Sequence, residues 1–120
     1  MVKRFTLSKC GRLCKNKSFQ AVYRSGKSYA NKNLVLYVLP NRSAKRRVGF
    51  AAGKRLGSAV VRNRLKRLLR EAYRFHQSEI INGVDLVLVG RQPLVKAGLA
   101  QVTKAFLELC SKAKIMADKS

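Results

Sequence analysis

Apolar residues fall in short runs whose spacing changes along the chain. The clearest pattern lies between Ser58 and His76, where Val61, Leu65, Leu68, Leu69 and Ala72 recur at helical intervals. At roughly 100° per residue they occupy one arc, the width of a core-facing stripe. This predicts an amphipathic helix with Ser58 as its N-cap. A shorter helix is predicted from Asn16, its cap, to Gly26, which ends it. Phe19, Val22 and Tyr23 share one of its faces, available either to a core or to a ligand. Residues 28–39 predict one strand, with Val35, Tyr37 and Leu39 on one face and Leu34, Leu36 and Val38 on the other. Both faces are apolar, so the strand is expected to be covered on both sides. A turn over 40–45 leads to a second strand, Arg47–Ala52, expected to pair with the first as an antiparallel hairpin. Asn82-Gly83 predicts a turn, and the apolar run Val84–Val89 a buried strand. The last helix is predicted to begin near Pro93 and to carry Val95, Leu99, Val102, Phe106 and Leu109 inward. Gly98 would lie inside it, at a cost of about 1 kcal/mol relative to Ala. Residues 1–15 read as an extended basic arm anchored by Leu7 and Leu13, and 113–120 as a polar tail that frays. The order predicts one α+β domain over residues 1–120, a sheet packed with helices.

Charge gives this pattern a direction. The 120 residues include 27 Lys and Arg against 5 Asp and Glu, a net charge of +22 spread from end to end. Such a field draws a protein to polyanions. On the central helix it forms one face, where Arg62, Lys66, Arg67, Arg70 and Arg74 point away from the apolar stripe. Like charges at i, i+4 repel by about 0.2–0.5 kcal/mol each. A polyanion along that face turns the repulsion into attraction. Lys54 and Arg55 enter just before the helix, whose first amides also favour anions. Hydrophobic residues make up 47% of the chain, enough to expect folding rather than disorder. No run approaches the ~18 apolar residues of a membrane span, and the basic start lacks an apolar signal core. The expectation is a cytoplasmic protein with no membrane role.

The chemistry of a free-standing nuclease is not legible. Glu71, Glu79, Asp85, Glu108 and Asp118 are scattered, whereas metal-assisted hydrolysis commonly gathers carboxylates around Mg²⁺. His76 is the only histidine, and no local motif suggests a nucleophilic triad. Cys10, Cys14 and Cys110 lack the partners and spacing of a zinc site and are read as free thiols. Gly53-Lys-Arg-Leu-Gly57 is not a phosphate-binding Walker loop, because no Gly-Lys-Ser/Thr follows. No catalytic residue and no protein-bound metal are therefore assigned. The pattern is that of a binder.

Arg62-Asn63-Arg64, followed by Leu65-Lys66-Arg67-Leu68-Leu69-Arg70, resembles the bacterial ribonuclease P protein family. The likeness extends to Phe19-Gln-Ala-Val-Tyr23, Leu34-Val-Leu-Tyr37, Arg47-Val-Gly-Phe50, Lys54-Arg-Leu-Gly57 and the Val84–Arg91 strand followed by Pro93. It implies a compact two-layer α+β sandwich with an unusual left-handed βαβ crossover. It also implies a ribonucleoprotein that removes the 5′ leader from precursor tRNA, with the chemistry and the Mg²⁺ ions in the RNA subunit. The implied partners are that catalytic RNA and precursor tRNA, with no stable protein partner. Residue by residue, Arg62, Asn63, Arg64, Lys66, Arg67 and Arg70 would lie against RNA, beside Lys54 and Arg55. Phe19, Tyr23 and Tyr37 would line a leader cleft between the first helix and the sheet. Tyr23 stands where the family often has Phe. Ala51, Ala52 and Gly53 stand where it often has hydroxyl residues, which removes side-chain hydrogen bonds from that strand. The alternative reading is a ribosomal RNA-binding structural protein.

Overall fold

The computed structural model describes residues 16–41 and 44–117. The expected basic arm over 1–15, with Cys10 and Cys14, lies outside them. The order is α1 (Asn16–Ser25), β1 (Lys27–Ala30), β2 (Leu34–Pro40), β3 (Arg47–Ala52), α2 (Ala59–His76), β4 (Val84–Gly90) and α3 (Leu99–Lys112). The four strands form one sheet in the order β1-β2-β4-β3. β2 runs antiparallel to both β1 and β4, and β3 runs parallel to β4. The α+β architecture is as expected, but the pairing differs in two places. The single strand over 28–39 is a hairpin, broken where Asn31 Oδ1 accepts from the amides of Asn33 (2.9 Å) and Leu34 (3.0 Å). Such an asparagine turn offers the backbone a local alternative to the ladder. The hairpin expected between β2 and β3 is absent, because β4 inserts between them. A strand covered on both faces seeks the centre of the sheet, and β4 is apolar along nearly its whole length.

Helices cover both sides of the sheet. On one side α2 and α3 bury Leu65, Leu69, Ala72, Tyr73, Val102, Phe106 and Leu109 against Leu34, Leu36, Val48, Leu86 and Leu88. On the other, α1 sets Val22 against Val87, flanked by Phe19, Tyr37, Leu39 and Val89. The two faces of β2 divide as its alternation predicts. Gly90 lets α2 approach the end of β4: a Cβ there would lie 2.6 Å from Leu65 Cδ2. Tyr73, one turn beyond Leu69, belongs to the stripe as well. The last helix starts later than expected. Residues Gln92–Lys96 form a separate 3-10 turn containing Pro93, and Gly98 is the N-cap of α3 rather than an interior residue. Val95 therefore leaves the helical stripe, and Leu99, in the first turn, is exposed. The tail expected to fray from 113 is held through 117. Ile115 is buried, Met116 bridges Ile80, and the Ala117 amide donates to Glu79 O at 2.6 Å. Its apolar residues find a groove that a count of polar residues cannot reveal.

Candidate nucleic-acid interface

The aromatic residues singled out in the sequence come together. α1 ends where Gly26 N donates to Val22 O at 2.8 Å. A Cβ on Gly26 would lie 2.5 Å from that oxygen and 2.9 Å from Val38 O, so glycine lets the helix end press on β2. The seating brings Tyr23 edge-on to Tyr37, with ring centroids 4.9 Å apart, and Phe19 follows 6.4 Å from Tyr23. Tyr23 is 40% exposed; Phe19 and Tyr37 are half-buried. Burial, then the neighbouring Tyr37 phenol, raises the Tyr23 pKa. On the same sheet face, Gly49 and Ala51 of β3 lie beside Val87 and Val89. They extend the same face beyond Val87 and Val89, which stand between them and Tyr37. Of Ala51, Ala52 and Gly53, Ala51 lies on this face and Ala52 packs into the opposite core.

The cations sort into two groups once their contacts are known. Ser58 caps α2, its Oγ accepting from Val61 N at 3.4 Å. Beyond it, Asn63, Arg67 and Arg70 are exposed and Lys66 is half-buried. Among the described residues no carboxylate pairs with Lys66, Arg67 or Arg70. Arg70 also stacks its guanidinium 5.9 Å from the Phe50 centroid. Lys54 and Arg55 are exposed on a 3-10 turn just before the helix. The other cations are engaged by the fold. Arg62 Nε donates to Gly57 O at 3.2 Å. Arg64 reaches the 92–97 segment, donating to Val95 O (2.9 Å) and Ala97 O (3.3 Å). Arg74 pairs with Glu71 at 2.9 Å. Arg64 thus sits among the site residues as a backbone clamp as well as a surface cation, a role its place in the sequence could not disclose.

Two further arginines were missed because composition counts them with the rest. Arg46 donates to Tyr73 Oη, Ile80 O and Gln77 O, each at 2.6 Å, and to Asn82 Oδ1 at 3.1 Å. It ties the end of α2 to the turn before β4. Arg47 forms a bidentate pair with buried Asp85, at 2.6 and 3.0 Å, while Asn41 Nδ2 donates to the same carboxylate at 2.8 Å. The hydrogen bond to Asp85 raises the Arg47 pKa, against the lowering effect of burial. Asp85 is thus held within the fold; among the described residues no three His, Cys, Asp or Glu side chains gather as a metal site. No described helix is long and apolar enough to cross a membrane.

In sequence and overall fold the chain is similar to known proteins. The sequence model of the Ribonuclease P family matches residues 7–114. The ribonuclease P protein component of Natranaerobius thermophilus is 42% identical over 104 residues, covering 87% of this chain and 90% of that protein. A Clostridium botulinum counterpart is 42% identical over 115 residues, covering 90% and 92%. Among solved structures, the RNase P protein of Staphylococcus aureus superposes with a TM-score of 0.82 at 34% identity, covering 91% of this chain and all of that one. That of Thermotoga maritima gives 0.77 at 28% identity, covering 84% and 96%.

Proposed function

The chain belongs to the ribonuclease P protein family and is the protein subunit of that tRNA-processing ribonucleoprotein; from this premise we propose how its surfaces share the work. The exposed cations of α2 dock the catalytic RNA. The rings of Phe19, Tyr23 and Tyr37 hold the single-stranded 5′ leader of precursor tRNA. The observation that carries this division is the separation of the two surfaces by the sheet. One side bears Lys66, Arg67 and Arg70, which no carboxylate pairs with among the described residues, the other the aromatic cluster of Phe19, Tyr23 and Tyr37.

Each surface suits its task. Phosphates are neutralised by Lys66, Arg67 and Arg70, each contact releasing counterions and steepening the salt dependence. A leader of any sequence must be held without reading its bases, and aromatic faces stack on all four at about 1–3 kcal/mol per base. β3 is one of the two edge strands and carries Phe50, against which Arg70 of α2 stacks, so RNA engaging both surfaces has a path across that edge. The protein supplies grip and orientation. The RNA subunit performs the cleavage and holds the Mg²⁺ ions, in a cytoplasmic particle. A ribosomal role has no support in the family match.

The division is tested by two double variants in the reconstituted ribonucleoprotein. Replacing Arg67 and Arg70 by alanine weakens assembly with the catalytic RNA and leaves the preference for precursor over mature tRNA in whatever assembles. Replacing Tyr23 and Tyr37 by alanine has the converse effect. Variants that lose both properties together, at unchanged thermal stability, would merge the two surfaces into one.

A further inference from the structure

At the end of the sheet where β2 begins and β4 ends, the 31–33 turn faces α3 across a hollow of about 290 Å³. Asn31, Lys32, Asn33, Gln101, Lys104 and Glu108 line it. The turn is held firmly. Asn31 Nδ2 donates to Ala105 O (3.2 Å) and Glu108 Oε1 (2.9 Å). Arg91 donates from its guanidinium to Asn31 O (3.0 Å) and from its amide to Asn33 O (2.9 Å). The Asn33 Oδ1 atom is sealed from solvent and has no hydrogen-bond partner among the described residues. The hollow itself presents two exposed ammonium groups, Lys32 and Lys104, and the Glu108 carboxylate, which has acceptor capacity to spare beyond its bond from Asn31.

We propose that this hollow takes a single unstacked nucleotide of RNA, preferring guanine, as a site separate from the leader cleft. Its volume is at the low end of ligand pockets, which span roughly 300–1,000 Å³, and suits one base rather than a larger ligand. Lys32 and Lys104 meet the phosphate. The Glu108 carboxylate accepts from the adjacent N–H groups of a guanine Watson–Crick edge, which adenine does not offer. A chain of contacts joins the hollow to α2. Arg64 grips Val95 O and Ala97 O, the Leu94 amide donates to Arg91 O, and Arg91 holds the 31–33 turn. RNA docked on the start of α2 would thus run over Lys96 and Arg91 toward the hollow. The inference rests on the reading of the chain as an RNA-docking subunit.

The test is titration of the full chain with GMP, AMP and ribose 5-phosphate, followed by amide chemical shifts. GMP is expected to move the amides of 31–33 and 101–108 and to bind about ten-fold more tightly than ribose 5-phosphate. Lys104→Ala is expected to weaken GMP several-fold, and Glu108→Gln to erase the preference for GMP over AMP, with the remaining spectrum unchanged. Shifts confined to α2 or the Tyr23–Tyr37 cleft would overturn the proposal. So would equal affinity for GMP and ribose 5-phosphate, or a base preference that survives Glu108→Gln. The same preparation, assembled with catalytic RNA, is assayed on precursor tRNA. Stimulated cleavage with a silent hollow refutes the hollow alone, whereas absent stimulation refutes the subunit reading beneath it.

Discussion

Arg46 and Arg67 carry the same side chain and serve opposite ends. Arg46 spends its donors on carbonyls at the end of α2 and on the Tyr73 hydroxyl, while Arg67 faces solvent. Charged hydrogen bonds are worth about 1.5–3 kcal/mol each, and orphaned carbonyls cost more when buried. Arg46→Ala is therefore expected to lower stability by about 3 kcal/mol in urea unfolding. In the fraction that remains folded, the salt dependence of RNA binding stays unchanged. Arg67→Ala reverses this: stability holds, and the log–log salt slope falls by somewhat under one unit in a filter-binding titration. An unchanged slope would make Arg67 a merely solvated cation. Nothing in the sequence separates these two residues, since charge patterning records which residues are basic and not what their donors reach. The aromatic residues were more legible, because Phe19 and Tyr23 are one turn apart and alternation fixes the face of Tyr37. That α1 and β2 meet along that face was implied by the family resemblance and not by the periodicity. Tyr37→Ala is expected to weaken holoenzyme affinity for precursor tRNA by about 1–3 kcal/mol. Affinity for mature tRNA and assembly with the catalytic RNA persist. A melting drop that accounts for the binding loss would return Tyr37 to the core.

At the scale of elements, the cleft depends on how α1 is seated, and the seat depends on Gly26. A methyl group there meets two backbone oxygens, neither of which can rotate away. Gly26→Ala is expected to lift the end of α1 from β2 and separate Tyr23 from Tyr37. The measurable result is weaker precursor binding with normal docking on the catalytic RNA, because α2 and α3 pack on the opposite face. Equal loss of both would show that α1 supports the whole fold. The positions of the strands were legible from apolar runs; their partners were not. Periodicity says that β2 and β4 are covered on both faces, but not that β4 enters between β2 and β3. The break at Asn31 was missed because a polar trio inside an otherwise alternating run looks like continued strand until Asn31 caps its own turn. The 113–117 segment was misjudged for a related reason: Ile115 and Met116 are too few to make a pattern, yet a ready groove and two backbone bonds hold them.

For the molecule as a whole, the core sets how stability responds to pH. Burial pushes the Cys110 thiol up to about 12 from an ordinary 9.0. Burial also raises Tyr73, partly offset by the Arg46 hydrogen bond and charge. Unfolding restores both groups, so above about pH 9 the unfolded chain sheds protons that the native state keeps. Stability is full below that pH and falls as pH rises toward 12. Urea midpoints are expected to decline between pH 9 and 11, and Cys110→Ala to make the decline shallower by up to about 1.4 kcal/mol per pH unit. An unaltered slope would show that the thiol does not remain protonated in the fold. Outside the core, the net charge of +22 attracts any polyanion, so general RNA affinity cannot identify the protein's task. The specific claim is that it grips the leader. The most direct measurement is the affinity of the catalytic RNA for precursor and for mature tRNA at one salt concentration, with and without the protein. The protein is expected to tighten precursor binding by at least about ten-fold, the worth of one stacked base, and to leave mature tRNA nearly unchanged. Equal tightening of both would contradict the account, reducing the chain to a basic coat on the catalytic RNA.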